Sequence, residues 1–326
     1  MGTRGGRGVG QRGARLAVLG TITREATAQY GGLEVEGVNV CGEVPMEAYG
    51  ACNLGSLNLG AFVREAFRPR ARVDWAALEE AVALAVRFLD DVVTVGAPRH
   101  PLRAQREASL RSRRVGLGVM GLADAMAMLG LRYGAQEALR WAEDCLRRIR
   151  DAAYAASVEL AREKGIFPVF DPRRHEQSPF VQRLPEGLRR ALRRWGLRNA
   201  ALLAVAPTGS ISLLAGASSG IEPIFGIRYT RLVPGQRHAA QHPLLDLYRR
   251  ETGRDDPDWP TAHQVDPLSR VRLQAAAQRY VDQSISSTVN LPASAGREVV
   301  ERVYRAAWEL GCKGITVFRE GSRAPV

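Results

Sequence analysis

Residues 200–215 read AALLAVAPTGSISLLA. The first seven form an unbroken apolar run, stopped at once by Pro207, Thr208 and Gly209. A run of that length with no polar alternation predicts a strand buried on both faces. Working outward, the same texture recurs. Residues 115–120, 287–291 and 314–318 are short and β-like, and helical periodicities lie between them. Residues 74–95 predict a helix, with Asp74 as its cap and Leu78, Ala81, Val82, Ala85 and Leu89 along one face. Residues 122–129 predict a short helix. Residues 136–164 predict a long amphipathic one, closed by Gly165. Residues 270–284 and 298–310 predict two more, and residues 232–266 read as surface loop. Helices alternating with short apolar strands predict an α/β fold with parallel strands.

The chain has 326 residues, 45% hydrophobic and 25% charged, enough to bury a sizeable core. No apolar run approaches the roughly 18 residues of a membrane helix, and the apolar stretch at residues 16–19 is too short for a secretory signal. A cytoplasmic protein with no membrane partner is expected. Four scattered cysteines do not make a disulfide scaffold. The net charge of +12 comes from 44 Arg and only 2 Lys. So one-sided a choice reads as coding bias and solvated helix faces rather than a phosphate-binding surface, so no nucleic-acid partner is expected. Residues 1–29 are Gly/Arg-rich without period. They read as a disordered tail or a mis-assigned start, and residues 30–326 as the folded domain.

The chemistry concentrates at Asn39-Val40-Cys41-Gly42-Glu43. In an extended loop, side chains at i, i+2 and i+4 share a face. An amide, a thiol and a carboxylate would then converge: a reactive sulfur, a proton acceptor and a group to hold a substrate oxygen. Cys52 follows eleven residues later, in Cys-Asn-Leu-Gly-Ser-Leu-Asn-Leu. Taken alone, this segment reads equally as two buried structural cysteines beside a chance Asn/Glu pair. Residues 206–212, Ala-Pro-Thr-Gly-Ser-Ile-Ser, pass from strand to turn to helix start. That is an anion site or a plain helix cap, and without the P-loop lysine it is no NTPase signature.

The cysteine loop resembles the active-site loop of ribonucleotide reductases, and its close cysteine spacing is similar to the B12-dependent (class II) branch. Val40 stands where that family usually has Pro. The resemblance extends through residues 113–121, 159–171, 206–223 and 311–323, in family order. It implies the second half of a ten-stranded α/β barrel with a central finger loop. It implies reduction of ribonucleoside diphosphates to 2′-deoxyribonucleoside diphosphates through a thiyl radical at Cys41. Glu43 would take the 3′-hydroxyl proton, Asn39 would orient the hydroxyls, and Cys52 would be one of two reducing cysteines. Pro207, Thr208, Gly209, Ser210, Ile211 and Ser212 would hold the diphosphate. Residues 314–318 hold no tyrosine, which favours adenosylcobalamin over a tyrosyl-radical partner.

The resemblance also implies partners. The cysteine that pairs with Cys52 lies in the family's first half-barrel, and the C-terminal pair that meets a thioredoxin-type reductant has no counterpart here. The expectation is a C-terminal part of the barrel that works with a complementary N-terminal half. The alternative is a non-catalytic fragment or assembly subunit of a split reductase. Two patterns are set aside. Gly116-Leu117-Gly118-Val119-Met120-Gly121 fits GxGxxG, but charged residues rather than a strand precede it, so close packing is its reading. His238 and His242 lack a third ligand, so no metal is expected.

Overall fold

A computed structural model describes residues 14–233 and 236–322. Its centre is a row of parallel extended segments. Strand Asn53–Asn58 pairs in parallel with strand Val115–Met120, Asn53 opposite Val115 and Asn58 opposite Met120. The far edge of Val115–Met120 takes residues 201–206: the Leu117 amide donates to Leu202 O at 2.8 Å and the Ala204 amide to Leu117 O at 3.0 Å. That segment bonds residues 283–287, the Val205 amide to Ser284 O at 3.2 Å and the Ser286 amide to Val205 O at 2.8 Å. The chain runs on into strand Thr288–Leu291, which pairs in parallel with strand Gly314–Arg319. Strand Ala14–Ala17 then adds antiparallel on the outside. The fold is α/β, as the alternation predicts. Among the described residues the row does not close into a barrel.

The two central segments are buried throughout, because helices cover them. Helix Trp75–Gly96 starts on Asp74, whose side chain accepts the Ala77 amide at 3.2 Å. Helix Gln136–Lys164 packs against it, and Gly165 ends that helix at φ +86, a conformation a glycine takes without strain. Tyr154 reaches inward from this helix and donates to Asp282 Oδ2 at 2.8 Å. Two glycines of the GxGxxG pattern, Gly116 and Gly118, lie inside the strand, and Gly121 caps the helix that follows. A Cβ on Gly118 would sit 2.3 Å from Ala204 O, so only glycine lets the two backbones approach. Residues 103–112, just before that strand, are helix Arg103–Ser112, which agrees with rejecting the dinucleotide reading.

Three expectations need correction. Residues 14–29 are not a disordered tail: strand Ala14–Ala17 extends a sheet, and helix Leu19–Glu25 buries Ile22. A short apolar segment finds partners in tertiary structure that local composition does not reveal. Residues 232–266 are not plain loop. Strands Arg228–Val233 and Gln236–Gln241 form a hairpin, and helix Leu244–Thr252 follows. The helix expected over 270–284 is Pro267–Gln278. It stops there because residues 281–283 give their carbonyls to the buried Lys313 ammonium, including Gln283 O at 2.8 Å. Asp282 meanwhile accepts the amides of Leu202 at 2.8 Å and Leu203 at 2.7 Å.

Candidate active site

Asn39 to Val44 form a tight turn between strands Gly37–Val38 and Pro45–Met46. The Gly42 amide donates to Asn39 O at 2.9 Å, and Gly42 sits at φ +75, where a side chain would be strained. The Asn39 side chain closes the turn from within. Its Oδ1 accepts the Val44 amide at 3.0 Å and its Nδ2 donates to Glu43 Oε1 at 2.9 Å. Asn39 and Glu43 therefore meet, but through a reversal of the chain rather than the extended alternation expected for them. The turn is anchored to the row of strands. The Ser284 amide donates to Glu43 O at 2.9 Å. Arg15 Nη1 donates to Val40 O, and Arg15 Nε to Thr316 Oγ1 at 3.0 Å.

Exposure along the turn differs sharply. Val40 is 95% exposed, Cys41 is half-buried, and Glu43 is 1% exposed. Glu43 Oε2 is buried with no hydrogen-bond partner. Cys41 faces an open cavity of about 970 Å³. Pro207, Gly209 and Ser212 line the same cavity. Three other residues of the expected phosphate loop do not. Thr208 is buried and committed to the fold: its Oγ1 accepts the Gly220 amide at 3.0 Å and lies 3.3 Å from Ser219 Oγ. Ser210 and Ile211 are exposed but lie outside the cavity wall. The loop does begin a helix, Gly209–Ala215, whose first amides have no intrahelical acceptor.

Cys52 stands just before strand Asn53–Asn58, away from that cavity wall. Its Sγ lies 3.8 Å from Asn53 O and 3.9 Å from Gln283 Oε1. Burial pushes its thiol up to about 12 against a smaller opposing pull from the Arg114 charge. Arg114 makes a buried ion pair with Glu47 at 2.7 Å, and its Nη1 reaches Gln283 Oε1 at 3.5 Å. Glu47, Arg114 and Gln283 escaped the sequence reading. The available signal was charge and amide flanking otherwise apolar strands, at Arg113-Arg114-Val115 and Asp282-Gln283-Ser284. All four cysteines are free.

Glu222, unassigned from sequence, lines the cavity. It accepts the Thr288 amide at 2.8 Å and pairs with the buried Arg270, so it ties two walls together. Thr316 and Phe318 of the last strand also line the cavity. His242 is in the wall, whereas the side chain of His238 lies outside the described part of the structure. Among the described residues no cluster of His, Cys, Asp or Glu could hold a metal ion, and no helix is long and apolar enough to cross a membrane.

Comparison with known proteins gives consistent matches. Residues 20–318 match the family model described as ribonucleotide reductase, barrel domain. The chain is 42% identical to a vitamin B12-dependent ribonucleoside-diphosphate reductase of Mycobacterium tuberculosis, over 94% of this chain and 44% of that protein. It is 35% identical to the protein of the same name from Thermoplasma acidophilum, over 94% of this chain and 40% of that one. A ribonucleoside-diphosphate reductase subunit alpha of Chlamydia pneumoniae is 24% identical over 88% of this chain and 32% of its own length. The chain thus spans less than half the length of these relatives.

Proposed function

The chain belongs to the ribonucleotide reductase barrel-domain family, and on that premise we propose that it carries the radical half of a class II reduction of ribonucleoside diphosphates. The observation that carries this reading is the Asn39–Glu43 pair on the same turn as the half-buried Cys41, which of the three is the one that lines the cavity. One Glu43 oxygen is held by Asn39 and the other is buried without a partner. A buried acceptor left open in this way is suited to a substrate hydroxyl.

In the proposed reaction Cys41, as a thiyl radical, takes the 3′-hydrogen of the ribose. Glu43 Oε2 accepts the 3′-hydroxyl proton, and Asn39 keeps the carboxylate aimed. The 2′-hydroxyl leaves as water with a proton from one thiol of a reducing pair made of Cys52 and a second cysteine. That pair then gives C2′ a hydrogen atom and the sugar one further electron and becomes a disulfide, Glu43 returns its proton to the 3′-oxygen, and Cys41 returns its hydrogen to C3′ and is a thiyl radical again. The amides at the start of helix Gly209–Ala215 would face the diphosphate from the same cavity, where the Ser212 hydroxyl donates to Gly209 O at 3.0 Å and so braces the turn. Thr208 would act from behind, by fixing the 219–220 segment.

The cavity is at the upper end of small-molecule sites, which run about 300–1,000 Å³. It is open on one side and flanked by Phe225, Tyr229 and Phe318. These residues fit an organic radical source that approaches Cys41 beside the nucleotide. When bound, adenosylcobalamin supplies a carbon-centred radical from its Co–C bond that can oxidise a thiol. The proposal includes a complementary half of the ten-stranded barrel, because strand Asn53–Asn58 pairs on one edge only among the described residues. It also includes a thioredoxin-type reductant to reopen the disulfide.

The test is co-expression with the N-terminal half of a B12-dependent relative, then a cytidine diphosphate reduction assay with and without adenosylcobalamin. Cobalamin-dependent deoxycytidine diphosphate formation supports the reading. A complex that assembles, binds cobalamin and still forms no product would instead favour an assembly subunit.

A further inference from the structure

A second polar cluster faces the cavity and takes no part in the steps above. His242 and Ser218 both line the wall, only 7% and 6% exposed. Ser218 Oγ makes no hydrogen bond of good geometry, although it lies beside the Asp124 carboxyl. The imidazole is oriented by its surroundings: Nδ1 accepts the Leu244 amide at 3.3 Å, which assigns the proton of the neutral ring to Nε2. That Nε2 lies 3.4 Å from Asp124 Oδ1, long for a good hydrogen bond. The other Asp124 oxygen accepts the Ser218 amide at 2.6 Å. Burial pushes the Asp124 carboxyl up and the His242 imidazole down, which disfavours the charged form of each. Two donors are thus held in a buried wall with incomplete partners. Such groups are uncommon unless water or a ligand completes them.

Their place along the wall points to the ligand. Ser219, the next residue, has its hydroxyl 3.3 Å from Thr208 Oγ1, and the Gly220 amide donates to the same oxygen. Thr208 immediately precedes helix Gly209–Ala215. Ser218 is therefore one residue away from the segment that abuts the start of that helix. The charged side chains lining the cavity are Arg15 and Glu222, and Glu222 is already engaged by Arg270 and the Thr288 amide. We propose that His242 Nε2–H and Ser218 Oγ–H donate to a phosphoryl oxygen of the nucleoside diphosphate, with the Leu244 amide orienting the imidazole and Asp124 holding the Ser218 backbone. This rests on reading residues 207–212 as the diphosphate loop. It adds a donor pair to the helix amides that line the same cavity.

The test is NMR of the histidine Cε1–H and glycine amide signals of the whole chain. Cytidine diphosphate, inorganic pyrophosphate and cytidine are titrated separately. His242→Gln identifies the His242 signal among the five histidines. Both phosphate ligands are expected to move the His242 and Gly209 signals, and cytidine to leave His242 in place. His242→Ala and Ser218→Ala should each weaken diphosphate binding about tenfold, the scale of one hydrogen bond to a charged group. His242→Gln, which can present an amide donor near the same point, should stay within about threefold. Binding that moves Gly209 while His242 stays still, with His242→Ala at full affinity, overturns the donor pair and leaves the loop reading intact. A His242 shift with cytidine as large as with cytidine diphosphate overturns the phosphoryl assignment. Phosphate ligands that move neither signal overturn the loop reading and the donor pair together.

Discussion

Cys41 and Cys52 stand eleven residues apart, both half-buried, and differ in what surrounds them. Cys41 rides on a tight turn, half-buried, with an open cavity before it and the exposed Val40 beside it. Cys52 sits at the entry to a strand, against Gln283 and near the buried Arg114–Glu47 pair, and its thiol is pushed up to about 12 by burial. On the proposed reading, the difference suits two sulfur atoms to two tasks. A thiol that must meet a sugar hydrogen needs access. A thiol that must deliver hydrogen and electrons only after the sugar has been activated is better kept protonated, because the thiolate is the reactive nucleophile.

The largest expected effects test that division of labour. In the complemented enzyme, Cys41→Ser should lower deoxynucleotide formation by about three or more orders of magnitude, since the hydroxyl cannot replace the thiyl radical. It should also stop release of tritium from the 3′-position of the substrate. Cys52→Ser should stop deoxynucleotide formation yet retain 3′-tritium release. Equal loss of both readouts in the two variants would remove the distinction between the cysteines.

Next in size is the contrast in thiol reactivity. A group with a pKa raised to about 12 is almost wholly protonated at pH 8, with a thiolate fraction of about one in ten thousand. Cys145 and Cys312 are buried and pushed to about 12 as well. Iodoacetamide at pH 8 should therefore label Cys41 first, with Cys52 slower by about three orders of magnitude than an ordinary cysteine. Peptide mass spectrometry over time reads this out. Because the raised groups lose their protons only at high pH, Cys52 labelling should keep rising toward pH 10, well after an ordinary thiol has levelled off. Comparable labelling of Cys41 and Cys52 at pH 8 would break the comparison.

A smaller effect comes from the charge that neighbours Cys52. Arg114→Met removes one partner of a buried pair and leaves Glu47 buried and uncompensated. Breaking such a pair costs about 3–5 kcal/mol. Urea unfolding should show that loss, and the double variant Arg114→Met with Glu47→Leu should recover much of it, because no lone charge remains. A double variant as unstable as the single would show that the pair is not isolated from the rest of the site.

Much of the scaffold was legible in the amino-acid pattern. Helix Gln136–Lys164 coincides with its expected span, because its apolar stripe and Gly165 are local signals. Strand Val115–Met120 was legible as well, although its glycines imitate a dinucleotide motif. What escaped was set by distant partners. Ala14–Ala17 is a strand only because Gly314–Arg319 offers it an edge. The 270–284 helix ends early because Lys313 claims the carbonyls beyond it. At the site, Asn39, Cys41 and Glu43 were picked out by residue type, but their arrangement follows from a turn, not from strand alternation. Thr208 carried the appearance of an anion ligand, yet its hydroxyl is spent on Gly220. Gln283 lies more than two hundred residues from Cys52, and no local pattern could join them.

The smallest predicted effect isolates the turn that separates the two cysteines. The Asn39 side chain makes two hydrogen bonds, one to the Val44 amide and one to Glu43 Oε1. Asn39→Ala removes both and leaves the Val44 amide and the Glu43 carboxylate, each on a residue 1% exposed, without that partner, so the expected loss of stability is about 1–3 kcal/mol. Activity should fall by more than that figure implies. Without the amide, the Glu43 carboxylate has two open oxygens and no fixed aim, and positioning errors are costly to catalysis. The Asn39→Ala, Glu43→Gln double-mutant cycle measures the pair itself, apart from what each side chain does alone. Because Cys52 is held by Gln283 and the strand rather than by the turn, its slow labelling should be unchanged in Asn39→Ala. A rise in Cys52 labelling on loss of Asn39 would mean that the turn and the strand entry form one cooperative unit, and that the two sulfur environments are not independently built.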